Sequence, residues 1–144
     1  MIAPVRTVIS RLEAVPPWVD GLVCRLGIAG VFWRSGQTKV HDFLVIDDST
    51  YDLFRDEYKV PLLPPEGAAV LATVSEHLFP ALLVIGLASR LSAGALFFMT
   101  LVIEVFVYPD SWPDHLIWAA AMLHVILRGP GRISLDHLIA KKFS

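Results

Sequence analysis

Charge is scarce in this 144-residue sequence: Asp, Glu, Lys and Arg make up 18% of it, against about 25% in ordinary soluble domains. Nor is there any basic excess. Twelve Lys and Arg against fourteen Asp and Glu leave a formal net charge of −2, so nucleic acid is not expected as a partner. The single cysteine, Cys24, rules out an internal disulfide, and no Cys-x-x-Cys pair offers redox exchange or a zinc site. Glycine-rich phosphate loops and nucleophile–base motifs are missing too. At the N-terminus, the basic residues are not followed by the apolar core and small-residue cleavage site of a signal peptide.

What the chain has instead is apolar surface: 55% of residues, in blocks, with a mean hydropathy of +0.60. A bilayer core takes roughly 20 mostly apolar residues per helix. Four blocks approach that length, at 19–36, 67–89, 91–108 and 113–128. The first and last are short or interrupted by charge, and such spans persist when neighbouring helices cover them. The expectation is therefore an all-α integral membrane four-helix bundle, formed as a single domain over 1–144. Gly27 and Gly30 are expected to let the first span approach its neighbours closely.

Punctuation supports these limits. Pro61, Pro64 and Pro65 precede the second span, with Glu66 suited to its first turn. Ser111 to Asp114 reads as a cap with proline in the first turn of the fourth span. Gly129-Pro130-Gly131 ends that span, and Ser134 is placed to cap a short terminal helix. Ahead of the first span, Val5, Val8, Ile9 and Leu12 recur at helical spacing before Pro16-Pro17, which predicts an N-terminal interfacial helix.

The Lys and Arg outside the spans suggest the orientation. The side of both termini carries Arg6, Arg11, Arg90, Arg128, Arg132, Lys141 and Lys142; the other carries Lys39, Arg55 and Lys59 among nine acids. This predicts that both termini are cytoplasmic. The long segment between spans one and two is then exported, with a short amphipathic helix near Ser49 to Tyr58 resting Leu53 and Phe54 on the bundle.

Several of these residues carry a resemblance. Arg25, Phe32, Gly36 and Lys39 in and after the first span, Glu76 before Gly86, Leu87 and Arg90, and the ending GPGRISLDHLI resemble the DoxX family of small four-span bacterial membrane proteins. The segments FWRSGQTKV, LLPPE, EHLFPALLVIGLASRLSA and FVYPDSWPDHLIW are also similar to a subfamily encoded near metal-binding ribosomal peptides. The resemblance implies association with thiosulfate:quinone oxidoreduction or oxidative-stress membrane complexes.

Ionisable groups within hydrocarbon are costly and are usually paired or functional. Counted along their helices at ~1.5 Å per residue, Glu76 and Glu104 fall near one depth, with His77 beside them and Arg25 below. The expected site is one cluster of Arg25, Glu76, His77 and Glu104, with Lys39 and His124 as lesser candidates. Thr73 and Thr100, four residues before His77 and Glu104, are expected to donate hydrogen bonds into it. An Arg25–glutamate ion pair fixing the packing is one reading. A pocket for a quinone-like headgroup or a proton relay is another. A copper-like metal held by His77, Glu76 and Glu104, with His124 or Met99, is a third. Cys24 reads as an inert small hydrophobe. His41-Asp42 and Asp110, Asp114 and His115, on the exported side, read equally as a loose cation site or as a solvated acidic rim. The function these features suggest is an accessory subunit of a redox or metal-stress system, such as a quinone-interacting oxidoreductase subunit, and not a stand-alone enzyme. The alternatives are an export factor for metal or a metal-binding peptide, or a structural membrane partner. The expected partners are the lipid bilayer and another membrane or periplasmic protein, with homo-oligomerisation left open.

Overall fold

The computed structural model describes residues 3–42 and 44–143. Among the described residues, seven α-helices follow in order: α1 (Ala3–Glu13), α2 (Trp18–Gln37), α3 (Asp48–Leu53), α4 (Pro65–Ile85), α5 (Ser89–Phe106), α6 (Trp112–Arg128) and α7 (Leu135–Lys142). No strand occurs among the described residues; an isolated bridge joins Val40 and Ile46. The four long helices form a closed ring in which α2 packs on α4, α4 on α5, α5 on α6 and α6 back on α2. Successive long helices run in opposite directions. The bundle thus has a loop end, carrying 38–64, and a terminal end, where α1 and α7 attach.

The core is small and apolar: Ile28, Ala29, Phe32, Leu83, Ala93, Leu96, Met122 and Val125 are buried together. Phe32 meets Trp118 edge-on at 6.0 Å between ring centres, a geometry favoured by the ring quadrupoles. The outward faces are apolar as well. Val70, Leu71, Val74, Leu78, Phe98, Leu101, Val105, Leu116 and Ile117 are all exposed, where a water-soluble bundle would place charge. α4 and α5 are each long and apolar enough to cross a membrane, and the α1–α2 pair, bent by 67°, adds a third such element if taken as one span.

α1 makes that bend at Pro16-Pro17. Its apolar stripe Val5, Val8, Ile9 and Leu12 stays exposed, as suits a helix lying on an interface. α3 passes directly into a wider π turn, Phe54–Tyr58. Its start is capped by Asp47, whose carboxylate accepts from the Ser49 N–H at 2.9 Å and hydroxyl at 2.7 Å. These bonds hold the Asp47 carboxyl below the ordinary carboxylate range. Phe54 is buried against Ala68, Ala69 and Ala72 of α4, with Tyr51 and Tyr58 alongside. Leu53 is only half-buried. At α7, Ser134 accepts from the His137 N–H at 3.2 Å.

Two local expectations need correction. Ser111 makes no side-chain cap at α6, because a 3-10 turn, Pro109–Ser111, leads into that helix. A Cβ at Gly27 or Gly30 would meet nothing within 4 Å, so neither glycine permits a close approach. Gly36 does: a Cβ there would fall 2.8 Å from His77 Cε1 and 3.1 Å from Glu76 Cβ.

Candidate functional site

The glutamate of α4 has a different partner from the one expected. Lys39 lies just beyond the end of α2, and its Nζ turns back to Glu76 Oε2 at 2.7 Å, with both side chains buried. Ser35, one helical turn before Lys39, donates its hydroxyl to Glu76 Oε1 at 3.2 Å and accepts from Lys39 Nζ at 3.2 Å. The chain around Lys39 is fixed in turn. Its carbonyl accepts from the Asp47 N–H at 3.0 Å and from the Thr50 hydroxyl at 3.0 Å. One ion pair therefore ties α4, the end of α2 and the 38–58 segment together.

His77 sits beside this pair. Its Nδ1 lies 2.7 Å from the Thr73 carbonyl; a carbonyl only accepts, so Nδ1 carries hydrogen. Nε2 lies 3.0 Å from the Gln37 side-chain nitrogen, which donates to it. The Trp33 ring stands edge-on to His77 at 5.2 Å. Pro80, four residues after Glu76 in α4, lacks the N–H that would normally bond the Glu76 carbonyl.

Glu104 belongs to a separate pair. Its Oε2 lies 2.5 Å from His115 Nδ1, across the tight turn joining α5 to α6. His115 is buried and rests on Trp118 at 5.0 Å between rings, while the Glu104 side chain is 25% exposed. His115 therefore works with Glu104, and is not part of a solvated rim. Thr73 and Thr100 do not donate into either site. Each bonds back to its own helix, to the Ala69 carbonyl at 2.8 Å and the Leu96 carbonyl at 2.9 Å.

Arg25 leaves the expected cluster altogether. Its Nη2 donates to the Ile133 carbonyl at 2.7 Å at the terminal end, and a Cβ on Gly86 would collide with its Nη1. Gly86 has φ +73°, a conformation that costs other residues. The C-terminal segment is stitched on beside it. Asp136 accepts from the N–H groups of Ala88 and Ser89 at 2.8 Å each and donates its own N–H to the Gly86 carbonyl at 2.9 Å. This sets a carboxylate on the first turn of α5, where the helix dipole favours it.

Helix direction explains the divergence. Side chains lean toward the N-terminus of their helix. In α2 that sends Arg25 toward the terminal end; in antiparallel α4 it sends Glu76 toward the loop end. Among the described residues, no three of His, Cys, Asp and Glu converge as metal ligands, which corrects the metal site drawn from His77, Glu76 and Glu104. His124 is half-buried and faces the terminal end. Met99 packs between the two apolar clusters. Ser35 and Gln37 were not anticipated, although the Ser35–Lys39 spacing of four was a readable signal.

These motifs meet in two places: Phe32, Gly36, Lys39 and Glu76 toward the loop end, and Arg25, Gly86, Arg90 and the GPGRISLDHLI ending at the terminal end. The DoxX family profile matches residues 21–109. The chain belongs to the DoxX family. A relative from Haemophilus influenzae, described as an uncharacterized protein, is 27% identical over 143 aligned positions, covering 92% of this chain and 91% of its own. No solved structure matches the chain significantly. Membership makes this DoxX chain a membrane protein, in keeping with its apolar outer faces.

Proposed function

We propose that this DoxX protein is a four-span inner-membrane subunit with both termini cytoplasmic. In this reading it is an accessory component of a redox or metal-stress system and not a stand-alone enzyme. Its buried Lys39–Glu76 pair acts as a lock that seats the exported segment on the bundle. The observation that carries this reading is that the pair and its neighbours draw their partners from within the chain. Glu76 takes Lys39 and Ser35, and the neighbouring imidazole spends both nitrogens on Thr73 and Gln37. That leaves a rigid platform, with the reactive centre carried by a partner. The family resemblance supports the redox setting, and the charge on the terminal end supports the orientation. Burial of Lys39 reinforces the latter by removing one of the three basic groups counted on the exported side.

A quinone-like ligand is the second reading, favoured by the partly open Glu104 carboxylate against a buried histidine. Such a pair suits proton exchange with a carbonyl headgroup.

The two readings separate by extracting the detergent-purified protein and measuring quinone and metal by mass spectrometry. Glu76→Gln should lower the melting temperature and leave the content of both unchanged. Loss of quinone or metal from Glu76→Gln or His77→Gln at a wild-type melting temperature would overturn the lock. Loss from Glu104→Gln alone would establish the second reading.

A further inference from the structure

The terminal end holds a feature that the loop-end lock leaves unused. A cleft of about 1110 Å³ opens between the Pro16-Pro17 bend, the start of α5 and the 128–140 segment. Arg90, Arg128 and Arg132 all line it, and all are exposed. Arg90 lies over Gly129, its Nη2 3.4 Å from where a Cβ would sit, so these basic groups reach the cleft from both sides. Among the described residues, no carboxylate stands at ion-pair distance from any of the three arginines. Two acids share the wall, Asp20 and Asp136, but both oxygens of Asp136 are taken by backbone N–H groups. Ser89 also lines the cleft, fully buried, and its hydroxyl has no hydrogen-bond partner among the described residues.

Three free guanidinium groups and an unspent hydroxyl suit a phosphate, since arginine presents paired N–H donors to such an anion. The surroundings of the cleft indicate which phosphate. Leu91 on its wall is 71% exposed and Leu127, next to Arg128, is 70% exposed. The exposed apolar stripe of α1 leads into the same bend. Such a mouth suits an amphiphile, with its headgroup among the arginines and its chains along the apolar flank. Basic pockets between helices at a membrane surface have this chemistry.

We infer that this cleft binds the phosphate of an anionic phospholipid, held by Arg90, Arg128 and Arg132. The site does not depend on what the loop-end pair does.

The test uses the full chain purified in a neutral detergent. Phosphatidylglycerol, phosphatidylcholine or inorganic phosphate is added, and thermal midpoint and lipid adducts in native mass spectrometry are read. Phosphatidylglycerol should raise the midpoint in a concentration-dependent way and give adducts; the other two should do neither. At about fivefold per arginine, Arg90→Gln/Arg132→Gln should weaken phosphatidylglycerol binding by roughly 25-fold. The double lysine variant, which keeps the charge but loses the paired donors, should fall between wild type and the double glutamine variant, and Arg55→Gln, at the loop end, should match wild type. Equal stabilisation by phosphatidylcholine, or undiminished binding by the double glutamine variant, would overturn the site. Stabilisation by inorganic phosphate that phosphatidylglycerol does not exceed would show a soluble anion as the ligand and overturn the lipid assignment.

Discussion

The two ends of the bundle treat a buried cation in opposite ways. At the loop end, Lys39 faces a full carboxylate, so charge is neutralised where it is buried. At the terminal end, Arg25 is 1% exposed and donates to a single carbonyl, with three more arginines on the neighbouring cleft. The loop end is thus a closed, internally neutral contact, and the terminal end is electropositive and open. A sealed ion pair suits holding a segment in place; a group of arginines outside any ion pair suits attracting an anion. Both ends use glycine for close approach, Gly36 under His77 and Gly86 against Arg25. The difference therefore lies in the charge partner and not in the tightness of packing.

The contrast breaks most severely at Glu76. Glu76→Leu leaves Lys39 buried without its counter-charge and should cost about 3–5 kcal/mol, read as a large fall in the melting temperature of the detergent-solubilised protein. Gly36→Ala comes next. The Cβ must displace the His77 ring and the Glu76 stem, an overpacking worth about 1–3 kcal/mol, measured the same way. At the terminal end the expected effects are smaller. Asp136→Ala removes two hydrogen bonds and a dipole-matched charge at α5, about 1–2 kcal/mol, and hydrogen exchange should accelerate at the 86–89 turn while the 38–58 segment keeps its protection.

The weakest effect sharpens the loop end by pH. Asp47 has a lower pKa folded than unfolded, because Ser49 bonds favour its ionised form. Its cap is then fully present above the ordinary carboxylate pKa and is lost as pH falls through the depressed one. Protection of the α3 amides should decline over that acid range in wild type, and Asp47→Ala should flatten the decline.

The helices were legible in the sequence because long apolar runs bounded by Pro61-Pro64-Pro65 and Gly129-Pro130-Gly131 leave little choice of boundary. The short helix before Tyr58 and the Ser134 cap were legible for similar local reasons. The site was less so. Counting residues along a helix gives depth but neither azimuth nor side-chain lean, so Glu76 and Glu104 looked like neighbours although they serve different helix pairs. Lys39 lies outside α2, and its return into the bundle depends on the fold of the segment that follows it. Arg25 meets Ile133, 108 residues away, a contact that nothing local to either residue signals.

The central claim, that the cations at the two ends belong to separate contacts, is tested most directly by paired double-mutant cycles on thermal stability. One cycle combines Lys39→Met with Glu76→Leu; the other combines Arg25→Met with Glu76→Leu. The Lys39/Glu76 double variant should lose far less than the sum of its singles, since neither charge is left orphaned. The Arg25/Glu76 double should be additive within about 0.5 kcal/mol. Strong coupling of Arg25 to Glu76, with additivity between Lys39 and Glu76, would contradict the account.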